Sequence, residues 1–147
     1  MNPKAMTGLE LLLAMTKGTV PHPSITDTMP MRISEVSKGV VKFFVKADAR
    51  HLNPMGGVHG GFAATVIDSI TGCAVHSVLD AGVGYGTIDL NVKMIRPIPP
   101  GVELVAEGRL INISKSFGIA EGFIKDSEGK LYAHGTSTCS IFRPQNA

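Results

Sequence analysis

Apolar and polar positions along this chain follow two periods. Between residues 62 and 79, Ala63, Ile67, Ile70, Ala74 and Val78 recur at steps of three and four, which predicts one buried stripe on an α-helix. In "TIDLNVKMIRP" (87–97) the period drops to two, predicting a strand with Ile88, Leu90, Val92 and Met94 on one face. "VELVAEGRLINIS", "FGIAEGFIKD" and "KLYAHGTSTCSIFRP" read as three further strands, with turns at Ser114-Lys115-Ser116 and Ser127-Glu128-Gly129. Upstream, "MRISEVSKGVVKFFVKA" reads as two strands about Lys38-Gly39, with Val41, Phe43 and Val45 alternating against Lys42, Phe44 and Lys46. Residues 5–17 predict a short helix with Thr7 as N-cap and Gly18 as its stop, and "VPHPSITDTMP" a proline-rich loop.

The order is therefore a short N-terminal helix, two strands, a long central helix and four strands. That pattern is α+β, a six-stranded antiparallel sheet with one helix against its face. β-Branched residues lower the intrinsic propensity of the central helix, so it depends on tertiary packing. Its long apolar character predicts that the sheet wraps around it.

Composition narrows the function classes. At 147 residues the chain is one domain, 1–147, divided into an N-terminal helix and loop (1–30) and a core (31–143). Apolar residues at 44% and charged ones at 18% mark an ordinary globular protein. Fourteen basic against twelve acidic residues give a net charge of only +2, the basic side chains are scattered singly, and there is no Trp, so no nucleic-acid partner is expected. Cys73 and Cys139 fit no metal or redox spacing and suit a reducing compartment. "LELLLAMT" is short, is interrupted by Glu10 and lacks a basic lead-in, and nothing approaches a span of about 20 apolar residues. The expectation is a soluble cytoplasmic protein with no membrane partner.

The chemistry concentrates in "NPMGGVHGGFAATVIDS" (53–69). Free amides at a helix start attract anions, but neither G-x-G-x-x-G nor G-x-x-x-x-G-K-[ST] is present. Two readings remain open at this level. In one, the glycines serve only to turn the backbone and let it approach a neighbour. Alternatively, the amides of Gly60 and Gly61 form a site for a developing oxyanion, which needs a base or nucleophile nearby. Asp68 is that candidate: it lies two turns into the helix, and Gly61, Ala64 or Thr65, and Gly72 along its row are all small. Eight residues separate Gly60 from Asp68, about 12 Å of helical rise. One reacting carbon must lie about 3 Å from both donor and base. The simplest solution is two antiparallel copies, each Gly60 facing the other chain's Asp68, which predicts a dimer with two interfacial sites.

The pattern N-P-x-G-x-V-H-G-G-x-x-x-x-x-x-D, followed by "GYGTIDLNVKMIRPIPPG", resembles the PaaI-like branch of the hotdog-fold acyl-CoA thioesterases over residues 30–143. The resemblance implies a hotdog fold, a homodimer or dimer of dimers, and acyl-CoA as substrate with no cofactor. It implies Asp68 as general base or nucleophile, the Gly60 amide as the group polarising the thioester carbonyl, and Asn53 as a residue positioning water or nucleophile. His59 takes an orienting role, and Thr87 falls where relatives place a hydroxyl that holds the attacking water. By strict alternation Thr87 shares a face with Asp89, Asn91 and Lys93, so a local twist is needed to aim it at the site. Gly61, Ala64 and Gly72 are expected on the substrate side, where Ala64 and Gly72 permit a bulky acyl or aromatic group. Lys93, Arg96 and Lys115 are available for the CoA phosphates. A metal site from His51, His59, His76 and Asp68 has poor spacing, and His76 suits a core or interface position. No G-x-S-x-G elbow competes. The alternatives are a non-hydrolytic acyl-CoA binding protein and a hotdog dehydratase or hydratase, the latter disfavoured because the aspartate follows the histidine by nine residues.

Overall fold

The computed structural model describes residues 2–145. In chain order its elements are α1 (Gly8–Thr16), α2 (Ile25–Thr28), β1 (Met31–Ser37), β2 (Val40–Lys46), α3 (Gly60–His76), β3 (Gly84–Met94), β4 (Glu103–Ile113), β5 (Phe117–Lys125) and β6 (Leu131–Phe142). Thr7 caps α1 as its sequence predicts. Its hydroxyl accepts from the Glu10 N–H at 3.2 Å, and the Glu10 carboxylate accepts from the Thr7 N–H at 2.8 Å. The proline-rich loop contains one unforeseen turn of helix, α2, whose Thr26 donates back to the Pro23 carbonyl.

All six strands pair antiparallel in the order β1-β2-β4-β5-β6-β3, forming a curved sheet around α3: a hotdog fold. Val41, Phe43 and Val45 point to the helix side and are buried. The buried face of α3 is broader than one stripe, because Phe62, Val66 and Val75 join Ala63, Ile67, Ile70 and Ala74. Val78 lies beyond the helix end and is only half-buried.

A row of glycines explains how closely the sheet grips the helix. Gly108, Gly122 and Gly135 pair directly across β4, β5 and β6. A Cβ at Gly122 would sit 2.9 Å from Ile70 Cγ2, and one at Gly135 would sit 2.7 Å from Ile67 Cγ2. A Cβ at Gly108 would collide with the Ile70 carbonyl. The helix therefore rests on bare backbone, and any side chain on this row would force the two apart.

The sequence expectation for β3 requires a correction. Its register with β6 runs Tyr85↔Ile141 and Thr87↔Cys139, then skips Ile88 and resumes as Asp89↔Thr138 and Leu90↔Ser137. Ile88 is the extra residue of a β-bulge, so the alternation reverses phase there. The partners on β6 that face α3 are the buried Ala133, Gly135, Ser137, Cys139 and Ile141. The helix-facing residues of β3 are therefore Tyr85, Thr87, Leu90, Val92 and Met94, and Ile88 points outward, 61% exposed. β3 ends the sheet, so its far edge has no strand against it. No helix among the described residues is long and apolar enough to cross a membrane.

Candidate active site

The segment before α3 is held by its own hydrogen bonds. Asn53 Oδ1 accepts from the N–H groups of Met55 (3.0 Å) and Gly57 (3.1 Å), and the Asn53 N–H donates to the Gly57 carbonyl at 2.7 Å. Gly56, at φ +84°, supplies the left-handed turn, whereas Gly57 has no such backbone requirement. With its oxygen occupied, Asn53 has only its Nδ2 hydrogens to offer a ligand. His51 anchors the base of the loop. Its Nδ1 accepts from the Asp48 N–H at 2.9 Å, its Nε2 meets the Thr28 carbonyl, and its own carbonyl accepts from the His59 N–H at 2.7 Å. Burial and these partners make His51 a structural post.

His59 is the N-cap of α3, and its Nδ1 accepts from the Gly61 N–H at 2.8 Å. This corrects the expectation of two bare amides, since the Gly61 donor is already used. Gly60 alone keeps an N–H with no acceptor among the described residues, at the positive end of a 17-residue helix. Met94 lies against it, 3.2 Å from where a Gly60 Cβ would stand. A cleft of about 540 Å³ opens here, lined by Asn53, His59, Gly60, Met94, Arg96 and Tyr132 among others. Arg96 is fixed at its wall by donating to the Leu131 carbonyl at 2.7 Å. Lys93 faces the opposite side of the sheet, paired with His134, and Lys115 lies in the β4–β5 turn.

Asp68 belongs to a different environment two turns along. It does not line that cleft. Its Oδ1 is shut off from solvent and has no hydrogen-bond partner. Cys73, Tyr85 and Cys139 surround it closely enough to feel its charge. Burial first, and then Asp68, push the Cys73 thiol up to about 12. Burial, followed by the neighbouring thiols and Asp68, pushes the Tyr85 phenol well above its ordinary range. Burial also raises Cys139. Thr87 reaches this group because of the bulge at Ile88, and its Oγ1 lies 3.8 Å from Cys139 Sγ. The bulge thus provides the change of direction that strict alternation denied to Thr87.

The three residues expected on the substrate side, Gly61, Ala64 and Gly72, lie apart from the Gly60 cleft. Gly72 is buried, and a Cβ there would lie 3.1 Å from the Tyr85 ring, so the space beside it is filled by this chain's own phenol. Ala64 is half-buried and lines neither the Gly60 cleft nor the cavities near it. Gly61 lines a separate shallow depression with His51, Phe62 and Thr65. Ser137 was not anticipated. It is 1% exposed, sits in the helix-facing row of β6, and its hydroxyl has no partner. A serine amid alternating buried positions was the available signal. His76 is half-buried at the end of α3, its ring 5.1 Å from that of Tyr85, and burial lowers its pKa. No group of three or more His, Cys, Asp or Glu side chains suited to a metal ion occurs among the described residues.

Comparison with known proteins agrees with this architecture. Residues 55–133 match the thioesterase superfamily. A candidate esterase from Halobacterium salinarum is 36% identical over 96 residues, spanning 60% of this chain and 62% of that protein. Acyl-coenzyme A thioesterase 13 of Mus musculus is 30% identical over 95 residues, 64% of this chain and 67% of its own. Among solved structures, a candidate thioesterase from Ralstonia eutropha, described as a phenylacetic acid degradation-related protein, is 29% identical with a TM-score of 0.80, covering 88% of this chain and 98% of its own.

Proposed function

The chain belongs to the thioesterase superfamily, and on that footing we propose that it hydrolyses acyl-coenzyme A thioesters at a site shared between two copies. The observation that carries this reading is a pair of opposite deficits on one helix. Gly60 has an amide donor without an acceptor, and Asp68 has a buried carboxylate oxygen without a donor. A thioester carbonyl together with its attacking water would satisfy both. Within one chain they stand about 12 Å apart along the helix, too far for one reacting carbon. A second, antiparallel copy brings the partner subunit's Asp68 to the first copy's Gly60. The open edge of β3 and its exposed Ile88 and Met94 support such pairing.

In this arrangement the carbonyl oxygen accepts from the Gly60 N–H, and Asn53 Nδ2 donates to the nucleophile. Asp68 removes a proton from water as the water oxygen bonds to the carbonyl carbon. The tetrahedral intermediate, its oxyanion held by Gly60, then expels the thiolate, which takes the proton held by Asp68, so that the products are acid and coenzyme A thiol and the carboxylate is restored. The hydroxyl of Thr87 holds the water. His59 acts by occupying Gly61, so that Gly60 is left as the donor at the helix start. Arg96 at the cleft wall suits the coenzyme's phosphates. Asp68 can equally serve as a nucleophile, forming a mixed anhydride that water then cleaves. The mouse relative's acyl-coenzyme A activity supports this substrate class.

The test is thiol release from acyl-CoA by wild type and by Asp68→Asn. Loss of about a thousandfold in kcat is expected. Retention of most of the activity by the variant would refute the assignment, and hydration of crotonyl-CoA without thiol release would point to a hydratase.

A further inference from the structure

A second cavity, of about 150 Å³, lies beneath the N-terminal segment. Leu12 and Met15 of α1 form its roof, Ile33 and Phe43 of the sheet one wall, and Cys73 and Tyr85 the other. It shares no lining residue with the Gly60 cleft. It does adjoin the carboxylate: Ser69, the residue after Asp68, lines it, and the Tyr85 ring packs over Gly72 one turn further on. The two cavities differ in kind. The larger is open and carries Arg96 and Asn53, which suits a long polar coenzyme. The smaller is mainly apolar, its polar groups being the Tyr85 phenol, the Cys73 thiol, the His22 ring and the hydroxyls of Thr26 and Ser69.

We propose that the cavity under α1 receives the acyl group and limits it to about a single ring or a chain of about six carbons, because about 150 Å³ of apolar space holds one benzene-sized body. This rests on the thioesterase reading. A thioester bound at the shared site has its coenzyme in one protomer's open cleft. Its carbonyl meets the partner subunit's Asp68, and its acyl end continues into the cavity beside that carboxylate. Leu12, Met15, Ile33 and Phe43 all precede the segment that matches the superfamily, so acyl choice is set partly outside that segment, with Ser69, Cys73 and Tyr85 contributing from within it. Met15 is the adjustable element, an unbranched side chain on the roof, half-buried.

Two measurements on the full chain test this. In the first, kcat/KM is compared across acetyl-, hexanoyl-, phenylacetyl-, decanoyl- and palmitoyl-CoA for wild type, Met15→Ala and Met15→Leu. Wild type is expected to favour hexanoyl or phenylacetyl over palmitoyl by about tenfold or more, Met15→Ala to raise the decanoyl-to-hexanoyl ratio about tenfold, and Met15→Leu to keep the wild-type ratio. Wild-type preference for palmitoyl, or a folded Met15→Ala with an unchanged profile, overturns the proposal. The second measurement needs no turnover: the Met15 methyl signal in NMR is followed on adding a non-hydrolysable thioether analogue of hexanoyl-CoA. A saturable shift supports the cavity even if no thioester is cleaved, which would defeat only the hydrolytic reading. Active enzyme whose Met15 signal is unmoved by the analogue overturns the cavity and leaves hydrolysis standing.

Discussion

The start of α3 and its middle are built by opposite means. At the start, backbone and loop do the work: Asn53 Oδ1, the left-handed Gly56 and the His59 cap consume nearly every polar group and leave the Gly60 donor. At the middle, side chains from α3, β3 and β6 close around a carboxylate and provide no donor to its buried oxygen. One region is satisfied except for a hydrogen, and the other is deprived of one. A preorganised donor costs little to hold ready because water can reach it. An unpartnered buried carboxylate oxygen is a standing destabilisation of about 1 to 3 kcal/mol. Such a cost makes sense where a ligand or a second chain completes the group.

The largest effect that could break this comparison is a complementation experiment. Asp68→Asn and Asn53→Ala should each be nearly inactive, yet mixed dimers should recover about a quarter of wild-type activity, because half the dimers carry one intact site. No recovery on mixing would place both halves of the site in one chain. Next comes Gly60→Pro. Proline suits the first position of a helix, and His59 at φ −61° and ψ 137° already has the extended backbone that precedes proline comfortably. A Cβ at this position meets the flexible end of Met94. The expected result is a fall in kcat of about a hundredfold to a thousandfold with the melting temperature kept, and an unchanged kcat would remove the amide from the mechanism.

Smaller effects sharpen the contrast. His59→Ala deletes the cap and should lower stability by about 1 kcal/mol in denaturant unfolding. Ser137→Ala, which deletes a hydroxyl that has no partner, should change stability by less than about 1 kcal/mol. The smallest effect concerns Cys73. Because Asp68 adds to burial in raising that thiol, Asp68→Asn should speed its alkylation slightly, and slower alkylation would show that the charge faces elsewhere.

Much of this was legible beforehand. The stripe Ala63, Ile67, Ile70 and Ala74, the alternation of β2 and the Thr7 cap are local patterns, and local patterns survive folding. The spacing of Gly60 and Asp68 was legible too, because helical rise is fixed. What escaped depends on contacts between distant residues. The occupied Gly61 amide depends on the His59 rotamer, and the filled space at Gly72 depends on Tyr85 arriving from another strand. The phase of β3 could not be read because a bulge inserts a residue without any composition cue, and Ile88 fits an apolar face as well as its neighbours do.

That bulge has a consequence for editing the chain. Deleting Ile88 would remove no core side chain, no hydrogen-bonded cap and no member of the site. It would also leave the register intact. With the pairing from Asp89 onward held, Thr87 stays opposite Cys139 and Tyr85 opposite Ile141, so both keep facing the helix and the strand becomes regular. The extra residue is slack in the strand, a place where the chain can be shortened without turning the carboxylate's neighbours away from it.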